Sequence, residues 1–236
     1  MPKLVLLRHG QSQWNIAHRF TGWVDVDLTQ KGEAEAARAG ELIAAEPLAL
    51  DRVFTSVLTR AIRTALLALT TAKQLWIPME KDWRLNERHY GGLTGATHEA
   101  MAERFGAEQV RIWRRSYDVP PPPLSPGGEH DFARDRRYAG MTPPASESLK
   151  LTLERVLPYW REAIAPRLAA EETLLIAAHG NSLRAIVKHL FEVSDADIPG
   201  VEIPTGNPLL VELNGEGRAL AARYLDAGSA TPLPPL

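Results

Sequence analysis

Short continuous apolar runs alternate along the chain with longer stretches whose apolar residues return at helical spacing. Leu4–Leu7 is such a run, closed by Arg8-His9-Gly10, and it reads as a buried strand feeding a loop. Thr29 is placed to cap a helix to about Glu46, with Ala36, Gly40 and Ile43 on one face. Arg52–Thr55 is the next strand. Ser56 then opens a helix whose stripe is Leu58, Ile62, Ala65, Leu66 and Leu69. Thr97 caps a short helix that Gly106 ends, and a second short helix carries Val110 and Trp113. Ser146 opens the longest helix, with Leu149, Leu153, Val156 and Trp160 as its stripe and Pro158 bending it. Thr173–Ala178 is a further buried strand, running into His179-Gly180-Asn181 and a helix to about Leu190. Leu209–Leu213 and Ala219–Leu225 flank Asn-Gly-Glu-Gly, a hairpin signal. The alternation predicts an α/β fold: three αβα layers, a mostly parallel central sheet and a C-terminal antiparallel hairpin.

Residues 118–145 break the pattern with Pro120–Pro123, Pro126-Gly127-Gly128 and Pro143-Pro144. A loop of that length inside a compact domain is commonly functional. The chain is therefore read as one domain, 1–236, with an insertion at about 91–145 that is a candidate lid.

Composition narrows the chemistry. Lys plus Arg is 27 against 29 Asp plus Glu, a net charge of −2, which argues against coating nucleic acid or an acidic membrane by bulk charge. There is no cysteine, so disulfides, thiolate nucleophiles and Cys-based metal sites are excluded. No apolar stretch is long enough for a membrane span, and the N-terminal run is too short for a signal peptide; the expected compartment is the cytoplasm.

Ligands of open α/β sheets bind outside the carboxyl ends of strands. Two His-Gly pairs stand at such ends, at His9 and His179. Arg8 beside His9 disfavours a metal cation, and no Gly-x-Ser-x-Gly elbow is present. Anion chemistry fits better. Arg8 offers a fork of donors for phosphate, Arg60 lies in the first turn after Ser56, and the helix after His179 offers free N–H groups. A neutral His9 is a nucleophile for phosphorus, a protonated His179 would stabilise the transferring group, and Glu87 is the candidate general acid.

At Leu7-Arg8-His9-Gly10-Gln11-Ser12-x-Trp14-Asn15 the chain resembles the histidine phosphatase superfamily. Further stretches are similar to its cofactor-dependent phosphoglycerate mutases: Arg19–Trp23, Thr55–Ala61, Leu85–Gly91, Trp113–Arg115, Ala178–Arg184 and Ile203–Gly206. The resemblance implies an α/β fold and interconversion of 3- and 2-phosphoglycerate in glycolysis and gluconeogenesis. It implies priming by 2,3-bisphosphoglycerate, no metal, and a homo-oligomer, dimer or tetramer. By it, His9 is the phosphate acceptor, Glu87 the proton carrier and His179 the transition-state stabiliser. Arg8, Arg60, Asn15, Gly180 and Asn181 hold the transferring phosphoryl group. Ser12, Thr21, Gly22, Arg88, Tyr90, Arg114 and Arg115 contact the rest of the substrate. The adjacent arginines suit its second anionic end.

Two departures stand out. His98 occupies the place where the resemblance expects a phosphate-contacting Lys, so cofactor binding is expected to weaken as the pH rises above about 6.5. The tail after Asp226 is short, which implies a larger leak of phosphoryl groups to water. The rival readings are a phosphatase on the same fold and, more remotely, a non-catalytic module that binds a phosphorylated ligand. His18, His130 and His189 read as surface or helix-face residues, and His89 is an open candidate for the site.

Overall fold

The computed structural model describes residues 1–235. In chain order it comprises β1 (Lys3–Arg8), α1 (Gln13–Ile16), α2 (Gln30–Ala45), β2 (Arg52–Thr55), α3 (Thr59–Thr71), β3 (Met79–Lys81), α4 (His98–Phe105) and α5 (Ala107–Arg115). There follow α6 (Leu149–Tyr159), a π-helical turn (Trp160–Ile164), α7 (Ala165–Ala169), β4 (Leu174–Ala178), α8 (Gly180–Leu190), β5 (Leu209–Leu213) and β6 (Ala219–Tyr224).

The strands form one sheet in the order β3-β2-β4-β1-β5-β6. The first four run parallel; β5 is antiparallel to β1, and β6 to β5. This is the expected mostly parallel sheet with its closing hairpin. β4 lies at the centre and every one of its residues is buried, which explains its unbroken apolar run. Each buried Leu or Ile there stabilises the fold by roughly 2–3 kcal/mol. One core, on the α6 and α8 side, gathers Leu4, Leu6, Phe54, Ile176, Ile186 and Val211. The other, under α2 and α3, gathers Val5, Leu7, Ile43, Val53, Leu69 and Leu175. Alternate residues of β1 thus enter opposite cores, as a strand covered on both faces requires.

Thr29 caps α2 and Thr97 caps α4, both through their hydroxyls, and Gly106 closes α4 at φ +87. Three local expectations need correction. Leu58, not Ser56, precedes the first turn of α3, and Ser56 has turned inward to the site. Leu66 is exposed, so the apolar face of α3 is narrower than its stripe suggests. Ser148, not Ser146, caps α6, and that helix runs only eleven residues before the π-helical turn. Pro158 lacks the N–H that would continue the ladder at this point. α6, the π-helical turn and α7 follow one another without a break from Leu149 to Ala169, so this remains the longest helical stretch among the described residues, ahead of α2 with sixteen residues.

The stretch expected to be irregular, 118–145, holds two short 3-10 turns, Phe132–Arg134 and Arg136–Tyr138. It is anchored. Tyr138 is buried, its hydroxyl accepts from Asn86 Nδ2 at 3.0 Å, and Arg137 pairs with Asp25 at 2.7 Å. Among the described residues no helix is long and apolar enough to cross a membrane.

Candidate active site

The carboxyl ends of β1, β2 and β4 open onto one cleft. Its inner part, about 180 Å³, is lined by Arg8, His9, Asn15, Arg19, Phe20, Thr21, Arg60, Glu87, Tyr90, His98 and Arg114. An outer part of about 130 Å³ shares Arg8, Glu87, Tyr90 and Arg114 and adds Arg115, Gly180, Asn181, Arg184, Glu202 and Ile203. Six arginines face two carboxylates, so the cleft is strongly positive within a chain that is net negative.

His9 follows β1 directly, its N–H bonding the Ala178 carbonyl at 3.0 Å. Gly10 lets the next turn lie against α2: a Cβ there would collide with the Gly32 carbonyl. The His9 ring is buried, and Nδ1 lies 2.7 Å from the Gly10 carbonyl oxygen. That carbonyl can only accept, so Nδ1 carries the proton and Nε2 keeps its lone pair. Burial first, then the charges of Arg60 and Arg8, hold the His9 pKa well below its ordinary value. The imidazole is therefore neutral and nucleophilic at neutral pH.

Arg60 is completely buried and aimed by main chain. Its Nη1 donates to the Val24 carbonyl (2.9 Å), its Nη2 to the Gly22 carbonyl (2.8 Å), and its Nε reaches His9 Nε2 at 3.3 Å. Burial pushes its pKa down to about 10, which leaves it charged at neutral pH. Gly22 adopts φ +51, and this turn brings its carbonyl to Arg60. Arg8 donates to the Ile203 carbonyl at 2.8 Å, while its Nε is buried without a partner.

His179 ends β4, fully buried, its ring centroid 5.1 Å from that of His9. Its Nε2 lies 2.7 Å from Ser56 Oγ. Burial, then Arg60 and His9, lower its pKa well below the ordinary value. Without an anion in the cleft, His179 is therefore neutral at neutral pH. Glu87 Oε1 accepts the N–H groups of Arg88 (2.7 Å) and Asn181 (3.1 Å), so the carboxylate sits at the N-terminus of α8. Oε2 takes no hydrogen bond among the described residues and faces Gly180; it is the oxygen available for proton exchange.

The arrangement suits an anion. Buried donors at the cleft lacking partners are Arg8 Nε and Arg184 Nε, together with His179 Nδ1. Such groups are costly to leave unpaired, and phosphate or carboxylate oxygens would satisfy them. Gly180 lies on the floor between these groups: a Cβ there would stand 3.4 Å from the Arg8 guanidinium and 3.7 Å from Glu87 Oε2. Among the described residues no group of three or more His, Cys, Asp or Glu is arranged to hold a metal ion.

The profile of the histidine phosphatase superfamily, branch 1, matches residues 4–139 and 129–225. The chain belongs to the histidine phosphatase superfamily. It is 67% identical over 234 residues to a 2,3-bisphosphoglycerate-dependent phosphoglycerate mutase of Caulobacter sp. (strain K31), covering 99% of both chains. It is 58% identical over 236 residues to the protein of the same name in Hyphomonas neptunium, covering both chains fully. Among solved structures it resembles "Mycobacterial hydrolase 1" (TM-score 0.72, 22% identity, 98% of this chain and 99% of that one). It also resembles a putative alpha-ribazole-5'-P phosphatase of Escherichia coli (TM-score 0.72, 20% identity, 96% and 98%). At such identities the structural likeness concerns the fold alone. The resemblance read from the motifs is borne out by the relatives.

Within this superfamily member, the remaining predicted residues fall into two groups. Asn15, Thr21, Tyr90, His98, Arg114, Arg115, Gly180 and Asn181 line the cleft with Arg8, His9, Arg60 and Glu87. Ser12, Gly22 and Arg88 do not line it. Ser12 is buried and caps α1 through Asn15, and Gly22 serves Arg60 through its carbonyl. Arg88 lies behind Tyr90, 4.8 Å from the ring, donating to the Arg114 carbonyl.

His98 lines the cleft, but its titration is not as expected. Burial, then Arg114 and His18, bring its pKa down to about 4, and its ring packs 4.6 Å from Phe20. It is neutral from pH 6 to 8, so it does not lose a charge over that range. His89 is buried in an aromatic cluster with Trp23 and Phe132, its Nδ1 accepting from Gly91 N–H, away from the cleft. In the tail, Thr231 donates to the Glu202 carbonyl, and the Glu202 carboxylate pairs with Arg115. Leu236 lies outside the described residues.

Sequence reasoning missed Ser56 and Arg184 as parts of the site. Arg184 is buried, donates to Asn181 Oδ1 (2.9 Å) and the Ile198 carbonyl (2.7 Å), and lines the outer cleft. Its helical spacing from His179 was the available signal, but an arginine on a helix usually marks the solvent side.

Proposed function

We propose that this chain interconverts 3-phosphoglycerate and 2-phosphoglycerate through a phosphoryl group carried on His9. The observation that carries the reading is the continuity of the cleft. The phosphate-sized end at His9 and Arg60 opens directly onto a second arginine cluster at Arg114, Arg115 and Arg184. A phosphoglycerate has two anionic ends, and this cleft provides for both. The name of the close relatives supports the same reading.

His9 Nε2 attacks phosphorus in line with the departing oxygen, and Nδ1 remains on the Gly10 carbonyl. Arg8, Arg60 and the N-terminal N–H groups of α8 receive the charge on the equatorial oxygens. The dianion raises the proton affinity of His179 and draws a hydrogen bond from it, with Ser56 fixing the ring. Glu87 gives its proton to the leaving hydroxyl and recovers one from the attacking hydroxyl in the return half. When bound, 2,3-bisphosphoglycerate supplies the phosphoryl group that charges His9. The 91–145 segment forms the recognition wall through Tyr90's neighbours α4 and α5. The chain works in the cytoplasm, in glycolysis and gluconeogenesis. It does so as a homo-oligomer, for which exposed Leu66, Leu75 and Trp76 offer an apolar surface.

Phosphorus NMR of 3-phosphoglycerate with EDTA, with and without 2,3-bisphosphoglycerate, tests the reading. Conversion to 2-phosphoglycerate that requires the bisphosphate is expected. Release of inorganic phosphate without isomerisation would make this a phosphatase.

A further inference from the structure

We infer that Arg155 and Glu147, both outside the cleft, are the residues that position Glu87 for proton transfer; the inference rests on the phosphoryl-transfer reading above. Glu87 sits on no regular element. It follows the 3-10 turn Trp83–Leu85 and precedes an irregular stretch. A carboxylate that must meet a substrate hydroxyl cannot wander, so something else has to fix this segment.

Arg155, on α6, does so from behind. Its Nη1 donates to the carbonyls of Arg84 (2.7 Å) and Asn86 (3.1 Å), and its Nη2 to the carbonyl of Glu87 itself (3.2 Å). One guanidinium thus gathers three carbonyls from four consecutive residues. Trp23 Nε1 reaches the same Glu87 carbonyl from the other side at 2.6 Å, and the Arg155 guanidinium stands 5.6 Å from the Trp23 ring. The main chain of Glu87 is held by two donors from two distant parts of the chain.

Glu147 completes the device. Its carboxylate takes Arg155 Nε at 2.7 Å and Nη2 at 2.8 Å, a two-pronged pair buried on both sides. It also clasps the segment after Glu87: Oε2 accepts His89 N–H at 2.8 Å, and Glu147 N–H donates to the His89 carbonyl at 2.8 Å. A buried ion pair is a poor source of stability compared with apolar packing, so its placement calls for another use. Here every remaining donor and acceptor is spent on residues 84–89. Glu147 also lies two residues after the 118–145 segment, so the wall of the cleft and the proton carrier share one anchor.

The test compares two leaving groups on the intact chain. Phosphoryl transfer from a bisphosphoglycerate to His9 forms the N–P bond, breaks the ester P–O bond and sends the Glu87 proton to the departing oxygen of the monophosphoglycerate. Transfer from p-nitrophenyl phosphate forms the same N–P bond, but nitrophenolate leaves without a proton. Glu87→Gln calibrates the contrast. Arg155→Lys keeps the charge but cannot span three carbonyls. It is expected to lower kcat with phosphoglycerate by about 30- to 100-fold, the scale of a 1 Å misplacement. KM and the single-turnover release of nitrophenolate should change by less than about 3-fold, since Arg155 touches neither substrate nor His9. Trp23→Phe removes only the other bond to the Glu87 carbonyl and should show the same selectivity more weakly. It serves if Arg155→Lys does not fold. Equal losses with both donors, in whichever variant folds, would overturn the assignment. If the wild type releases inorganic phosphate and does not isomerise, the mutase reading falls, while the two leaving groups still decide the role of Arg155.

Discussion

At the inner end of the cleft, each charged group is aimed by backbone carbonyls or N–H groups. Gly10 holds His9, Gly22 and Val24 hold Arg60, Ile203 holds Arg8, and Arg88 and Asn181 hold the Glu87 carboxylate. At the outer end, Arg114 and Arg115 stand half-buried at the end of α5, and Arg115 is tied to a single exposed carboxylate, Glu202. Arg8 and His9 stand at the end of β1 and Arg60 in the first turn of α3, while Arg114 and Arg115 come from the segment between β3 and α6. The difference follows from what each end must do. Bond making needs groups fixed before the substrate arrives, because reorganisation during the reaction raises the barrier. Recognition of a second anion tolerates side chains that adjust.

The largest expected effect breaks the comparison at its inner end. His9→Ala should reduce turnover by about four orders of magnitude or more, as loss of a nucleophile does, while phosphoglycerate still binds. Calorimetry beside the rate assay checks this. Loss of binding with loss of turnover would mean that the ends are not separable. Next, Arg114→Ala should raise KM by about 10- to 100-fold with a much smaller change in kcat, since it removes a contact made equally in ground and transition states. A fall in kcat alone would move Arg114 to the chemical end. Ser56→Ala should lower kcat by about 10-fold, roughly one hydrogen bond's worth, with KM nearly unchanged.

A separate effect, on stability and not on turnover, concerns pH. His89 and His98 both have folded-state pKa values of about 4, against 6.5 for an unperturbed histidine. Between those values the unfolded chain takes up protons that the folded chain refuses. Stability therefore rises with pH across this window and is lost as pH falls from 6.5 toward 4. Buried His89 alone accounts for about 3 kcal/mol of that loss. Thermal unfolding should show a nearly constant midpoint from pH 7 to 8 and a falling one below 6.5. NMR of the free protein should show a neutral His98 ring from pH 6 to 8; a titration midpoint near 6.5 would restore the switch that the sequence suggested.

The same division governs what could be read without coordinates. β1, β2, β4, α2, α4, α8 and the closing hairpin were legible because caps and continuous apolar runs are local signals. β3 was not: three residues, Met79–Lys81, are strand only because β2 pairs with them. The inner site was legible because Arg8-His9-Gly10 and His179-Gly180 stand at strand ends. The outer site was legible only through family resemblance, since Arg114 and Arg115 on a helix look like a solvated face. Ser56 reads as a helix cap, and becomes a partner of His179 only when β2 and β4 lie side by side. His98 reads as a titratable cation, and its neutrality comes from burial beside Arg114 and Phe20, which no spacing reveals.

The most direct measurement is a chase of the charged protein. The chain is incubated with 2,3-bisphosphoglycerate, freed of small molecules, and mapped for acid-labile phosphate before and after 3-phosphoglycerate is added. The account predicts one phosphoryl group on His9 that returns to phosphoglycerate as the bisphosphate. A protein that never carries phosphate on His9, or one whose phosphoryl group passes only to water in the presence of 3-phosphoglycerate, would contradict it.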